Sequence, residues 1–122
     1  MQIKSRLSNY VRFHVHVRPN IQIELNLNIM KAIWNGRVIA ESQETRVIEG
    51  NHYFPPNSIN QEYFKGSETH TNCAWKGQAS YYTVDVDGKA NKDAAWYYPD
   101  ASELAKSIEN YVAFWKGIEV VD

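Results

Sequence analysis

Thiols are almost absent from this chain: of 122 residues only Cys73 carries one. A single cysteine excludes an internal disulfide and a multi-cysteine zinc site within one chain. It fits a reducing, cytoplasmic compartment. Long apolar runs are also missing; none approaches the roughly 18 residues of a membrane-spanning helix. The first residues hold no apolar segment followed by a small-residue cleavage site, so no secretory signal is expected. Charge of one sign is not in excess. The formal net charge is −1, which gives no global field for nucleic acid or an anionic membrane. The charge is unevenly spread, however, with Lys4, Arg6, Arg12 and Arg18 facing Glu24 alone in residues 1–29. No phosphate-cradling glycine loop is present. No repeat or low-complexity tract is present either.

What the chain does have is aromatic residues: four Trp, eight Tyr and four Phe. With 43% apolar and 22% charged residues, it reads as one ordinary globular domain that can bury a core without staples. Strict two-residue alternation in Ile21, Ile23, Leu25, Leu27 and Ile29 predicts a strand over 20–29. Phe13, Val15 and Val17 predict another, with Arg18-Pro19-Asn20 as the break. Residues 1–29 are expected to be an N-terminal extension, either a strand hairpin or disordered, or sequence upstream of a start at Met30. Asn35-Gly36 and Asp87-Gly88 are hairpin turns, because Asn-Gly and Asp-Gly tolerate positive φ at both central positions. The first pairs Trp34 with Arg37 and Ile33 with Val38. Further strands are expected over 45–49, ended by Gly50-Asn51, and over 78–86, with Tyr82, Val84 and Val86 on one face and Tyr81, Thr83 and Asp85 on the other. The strand after Asp87-Gly88 carries Ala94, Trp96 and Tyr98 on one side. Strands over 111–115 and 118–121 flank Lys116-Gly117. Asn57 is placed to cap one short helix, and Asp100 with Glu103 to open a second over about 101–109.

Four ordered motifs stand out: Met30-Lys-Ala-Ile-Trp-Asn-Gly36, Glu49-Gly-Asn-His-Tyr-Phe-Pro-Pro56, Thr69-His-Thr-Asn-Cys-Ala-Trp-Lys-Gly77 and Asp93-Ala-Ala-Trp-Tyr-Tyr-Pro99. They closely resemble the bacterial family known as domain of unknown function 427, over residues 30–122. Ala74 departs from it, since the family commonly has proline between the cysteine and the tryptophan. The resemblance implies a mainly β, antiparallel fold of the Mss4-like or β-tent type, here with two short helices. Relatives of that shape hold zinc with paired Cys-x-x-Cys motifs. Those are absent here, so no metal or cofactor is expected. The family also carries a nucleotidyltransferase-like label.

Several residues are candidates for chemistry, each with a plainer reading beside it. Cys73 is a nucleophile if a cation such as Lys76 or His70 lowers its pKa; otherwise it is a small buried hydrophobe. In an extended 69–76 segment, Lys76 and His70 point away from it. Lys76 is an anion ligand, a Schiff-base amine or a solvated strand-end lysine. Glu49, sharing a strand face with Val47, is a general base with a raised pKa if that face is apolar, or half of an ion pair. Trp75, Trp96, Tyr82 and Tyr98 line a stacking cleft or fill the core. Tyr53 is a further wall and His52 a rim residue. His14 and His16 share a strand face at metal-binding spacing but have no third ligand nearby.

The expected function is binding of a small anionic or planar molecule in an aromatic-lined cleft between two sheets, with Lys76 meeting the negative charge. Nucleic acid and membrane are not expected partners. One alternative is a small transferase or hydrolase using Glu49 as base and Cys73 or Lys76 as nucleophile. Another is a structural interaction module without a pocket, whose 20–29 strand pairs with a partner's edge.

Overall fold

A computed structural model describes residues 10–18 and 21–122, with side chains from Asn28 onward. The imidazoles of His14 and His16 and the break at Pro19-Asn20 lie outside the described residues. Eleven strands form among them: β1 (Tyr10–Arg18), β2 (Ile21–Asn28), β3 (Met30–Trp34), β4 (Arg37–Ser42), β5 (Arg46–Ile48), β6 (Asn51–Tyr53), β7 (Phe64–Cys73), β8 (Gly77–Val86), β9 (Lys89–Tyr97), β10 (Ala113–Phe114) and β11 (Glu119–Val121). Every pairing is antiparallel. The protein is therefore a small β-rich domain. Its sheets run in the orders β1-β2, β10-β9-β8-β7, β11-β3-β4 and β5-β6. No helix among the described residues is long and apolar enough to cross a membrane.

The hairpin turns follow local chemistry. Asn35 and Gly36 take φ of 48° and 77°, Asp87 and Gly88 51° and 81°, the double left-handed geometry that matches strand twist. Trp34 pairs with Arg37 and Ile33 with Val38, in the expected register. The two turns also clasp each other: Asn35 Nδ2 donates to the Val86 carbonyl at 3.0 Å, and Arg37 meets Asp87 at 3.2 Å.

Elsewhere tertiary pairing overrides local signals. The two short helices are replaced by 3₁₀ turns at Pro56–Ser58, Gln61–Tyr63 and Glu103–Ile108. In the first region the chain must extend at Ile59 to bridge Ala40, with Asn60 N–H on the Ile39 carbonyl at 2.8 Å. In the last, the Ser102 hydroxyl is drawn to the Trp75 carbonyl instead of capping the turn. The strand over 45–49 stops at Ile48, because Glu49 (φ 54°) and Gly50 (φ 79°) form a turn that folds β6 back onto β5. The final strands do not pair with each other; β10 joins β9 and β11 joins β3.

Two cores result. Ile39, Phe54, Phe64, Val84, Val86 and Phe114 anchor the one between the four-stranded and three-stranded sheets. The second lies on the other face of the four-stranded sheet, where Tyr53, Ala79, Tyr98, Ala105 and Ile108 meet. The functional residues gather at its edge.

Candidate functional site

A cavity of about 190 Å³ opens where the β5–β6 hairpin approaches the four-stranded sheet. Its walls are Asn51, Tyr53, Lys76, Tyr81, Trp96, Tyr98 and Trp115. The first core lies between the two larger sheets.

Each wall has a local cause. In β6, alternation turns Asn51 and Tyr53 to one side and His52 to the other. In β8 the same rule presents Tyr81 here and sends Tyr82 into the opposite core, stacked on Tyr97 at 4.6 Å. Trp96 stands edge-on to both Tyr53 (6.2 Å) and Trp115 (6.0 Å), and its indole N–H donates to the Tyr53 hydroxyl at 3.3 Å. Trp115 is aimed by a distortion in β9. Asp93 takes φ 56°, and its carboxylate is held by the hydroxyls of Ser67 and Thr69. Its carbonyl then accepts the Trp115 indole N–H at 2.6 Å. Those hydroxyls hold the Asp93 carboxyl below its ordinary pKa.

Lys76 is delivered by the tight β7–β8 hairpin, in which Cys73 pairs with Gly77 across Ala74, Trp75 and Lys76. Ser102 ties this loop down from the neighbouring segment, with its N–H on the Lys76 carbonyl at 3.0 Å and its hydroxyl on the Trp75 carbonyl. Only 7% of the Lys76 side chain is exposed. The ammonium sits 4.7 Å from the Trp75 ring centre and 5.8 Å from that of Tyr98, and it donates to the Glu49 carboxylate. Glu49 itself is 56% exposed at the tip of the β5–β6 turn.

The electrostatics follow from this contact. Burial by itself pulls the Lys76 pKa down, but the hydrogen bond to Glu49, with Tyr53, Cys73 and the Glu49 charge, outweighs it, and the net shift is upward. The same hydrogen bond holds Glu49 below the usual carboxylate range. Of the two readings of Glu49, base on an apolar face or half of an ion pair, the geometry matches the second: Glu49 lies in a turn, beside the Lys76 ammonium. Lys76 is an ammonium at neutral pH rather than a free amine. The backbone N–H groups of Trp75 and Lys76 lower the Cys73 thiol. Burial raises Tyr53 and Tyr98 and keeps both phenols protonated.

Of the residues singled out from the sequence, Tyr53, Lys76, Trp96 and Tyr98 come together as cavity walls. Glu49 and Trp75 contact Lys76, and Cys73 is half-buried at the base of the same hairpin. Tyr82 and His52 face away; the His52 ring bonds the Thr45 hydroxyl at 2.9 Å. His70 is engaged with Ser80 at 3.2 Å. Asn51, Tyr81 and Trp115 escaped the sequence reading. Strand parity could have exchanged Tyr81 for Tyr82, but no local signal points to Trp115. Among the described residues, no group of three His, Cys, Asp or Glu is placed to hold a metal ion.

A family model described as domain of unknown function DUF427, under a nucleotidyltransferase-like name, matches residues 22–122, and the chain belongs to that family. The match starts within β2, upstream of Met30. No curated protein matches the chain.

Proposed function

We propose that this DUF427 member binds a small planar, anionic molecule in the Lys76 cavity. One observation carries the reading: a nearly fully hidden ammonium stands in the wall of an open cavity whose other walls are five aromatic rings and one amide. Aromatic faces accept a flat ring, and the polar tips (Lys76 Nζ, the Asn51 amide and the Tyr hydroxyls) supply donors that favour negative charge. Size narrows the class. A dry cavity of about 150 Å³ holds one benzene, so about 190 Å³ suits a single ring with one small substituent. Nucleic acid, with its many phosphates, does not fit one cation in so small a hollow. The β-tent classification and a bacterial cytoplasmic setting belong to this proposal, on the strength of the motif resemblance and the single thiol.

The test is fluorescence titration of Trp96 and Trp115 with benzoate, followed by Lys76→Met and Trp96→Ala. Both variants should weaken binding at least tenfold while the far-ultraviolet spectrum stays folded. Unchanged affinity in both removes the reading. Native mass spectrometry of protein from its source would then identify any co-purifying molecule.

A second reading, a transferase or hydrolase with Cys73 as nucleophile, draws on the two N–H groups that lower its thiol. Iodoacetamide labelling at neutral pH separates the two. Labelling much faster than that of free cysteine favours the enzyme, and an inert thiol favours the binder.

A further inference from the structure

Among the described residues, four turns place two successive residues at positive φ: Asn35-Gly36 and Asp87-Gly88, pairs that tolerate it, and Glu49-Gly50 and Lys116-Gly117, in which a long side chain comes first. In the Glu49-Gly50 turn Glu49 takes φ 54°. A long side chain at that position cannot support its own backbone as Asn or Asp does, and in both such turns it bonds a distant partner: Lys116 Nζ donates to the Lys92 carbonyl at 3.1 Å. Glu49 reaches Lys76, whose ammonium donates to its carboxylate. The two partners are unequal. The ammonium is enclosed, with 7% of its side chain exposed, whereas Glu49 is 56% exposed on a two-residue tip. Release of Glu49 therefore returns a carboxylate to water at little cost, while Lys76 cannot leave and needs an anion in its place.

Resting on the binding reading above, we propose that Glu49 is a built-in stand-in for the ligand's acid group, and that the cavity takes a single-ring planar monocarboxylate which displaces Glu49 from Lys76. One carboxylate replacing another conserves charge beside one ammonium; a dianion would bring a surplus into a poorly solvated site. The ring lies among Trp96, Trp115 and Tyr81, and its acid group faces Lys76 Nζ. Glu49 thus sets both the charge of the ligand and the affinity, since a competitor that occupies the site in most molecules lowers the apparent affinity by the fraction left open.

The experiment compares benzoate with benzamide, its neutral near-isostere, on the full chain and on Glu49→Gln. An exposed turn position tolerates this change, and thermal denaturation checks it. If Glu49 leaves the site open in about one molecule in ten, Glu49→Gln should bind benzoate about tenfold more tightly, with benzamide affinity unchanged. Weaker or equal benzoate binding by Glu49→Gln, with wild-type binding intact, overturns the stand-in and leaves the binding reading standing. An equal gain for both compounds also overturns it, because a gain without charge selectivity means only a wider mouth. Absence of binding of either compound by either protein overturns both readings.

Discussion

Gly77→Ala probes the joint on which the site depends. Gly77 follows Lys76 directly and takes φ 113°, beyond the left-handed well near +60° that L residues occasionally visit. Holding alanine there costs on the order of 1–3 kcal/mol. A Cβ at this position would also meet the Asp100 carbonyl oxygen at 3.1 Å. That oxygen is backbone, in a segment tied to the loop by Ser102 N–H on the Lys76 carbonyl at 3.0 Å, so it yields only if the tie is stretched. The two effects together give a loss of about 2–4 kcal/mol. Gly36→Ala is the control. Its φ is 77° and nothing lies within 4 Å of its Cβ position, so it carries only the backbone cost of about 1–2 kcal/mol. Both changes remove the same unfolded-chain freedom, which cancels in the comparison. Urea denaturation measures the difference: with a slope of about 2 kcal/mol per molar, the midpoint of Gly77→Ala should fall about 1–2 M, clearly further than that of Gly36→Ala. Equal losses within about 0.5 kcal/mol would refute the claim that close approach of residues 100–102 fixes the Lys76 loop.

Phe54→Ala removes a fully buried ring standing edge-on to Phe114 at 5.4 Å; a loss of about 3–5 kcal/mol is expected by urea denaturation, and a loss under 1 would mean that this core is not the main one. Trp115→Phe keeps a ring but deprives the Asp93 carbonyl of its donor at 2.6 Å; destabilisation of about 1–2 kcal/mol and weaker benzoate binding should appear together, and an effect on one alone would separate the bulge from the cavity. The Glu49–Lys76 contact sets a pH window. Glu49, lowered from 4.5, contributes stability that is complete above that value and fades as pH falls through its folded pKa. Lys76, raised from 10.5, contributes stability that is complete below that value and is lost as pH rises through its folded pKa. The melting-temperature gap between wild type and Glu49→Gln should therefore be flat from about pH 5 to 10 and narrow at both ends; a gap that widens in acid would contradict the assignment.

Much of the fold was legible because local chemistry and tertiary need agree. Asn35-Gly36 and Asp87-Gly88 are turns whatever surrounds them, and alternation in β2 and β8 identifies strands from their own residues. Glu49-Gly50 reads as the end of a strand because glutamate gives no turn signal, and its partner Lys76 lies 27 positions away. The missing helices failed for a related reason, since the partners of Ile59 and Ser102 lie far along the chain and outcompete local caps. Within the site, Lys76, Trp96, Tyr53 and Tyr98 were recoverable from motif composition. The exchange of Tyr82 for Tyr81 followed from reading a strand's two faces without knowing which side held the cavity.

From its order of residues alone, this protein's β-rich class, its Asn35-Gly36 and Asp87-Gly88 hairpins and its store of aromatic and charged groups were settled, because turns and alternation act over a few neighbours. Which face of the four-stranded sheet stays hollow, that Trp115 becomes a wall, and that Lys76 is both buried and charged were decided only by folding. Those outcomes depend on contacts between segments tens of residues apart, and burial and electrostatics take their values from the assembled surroundings.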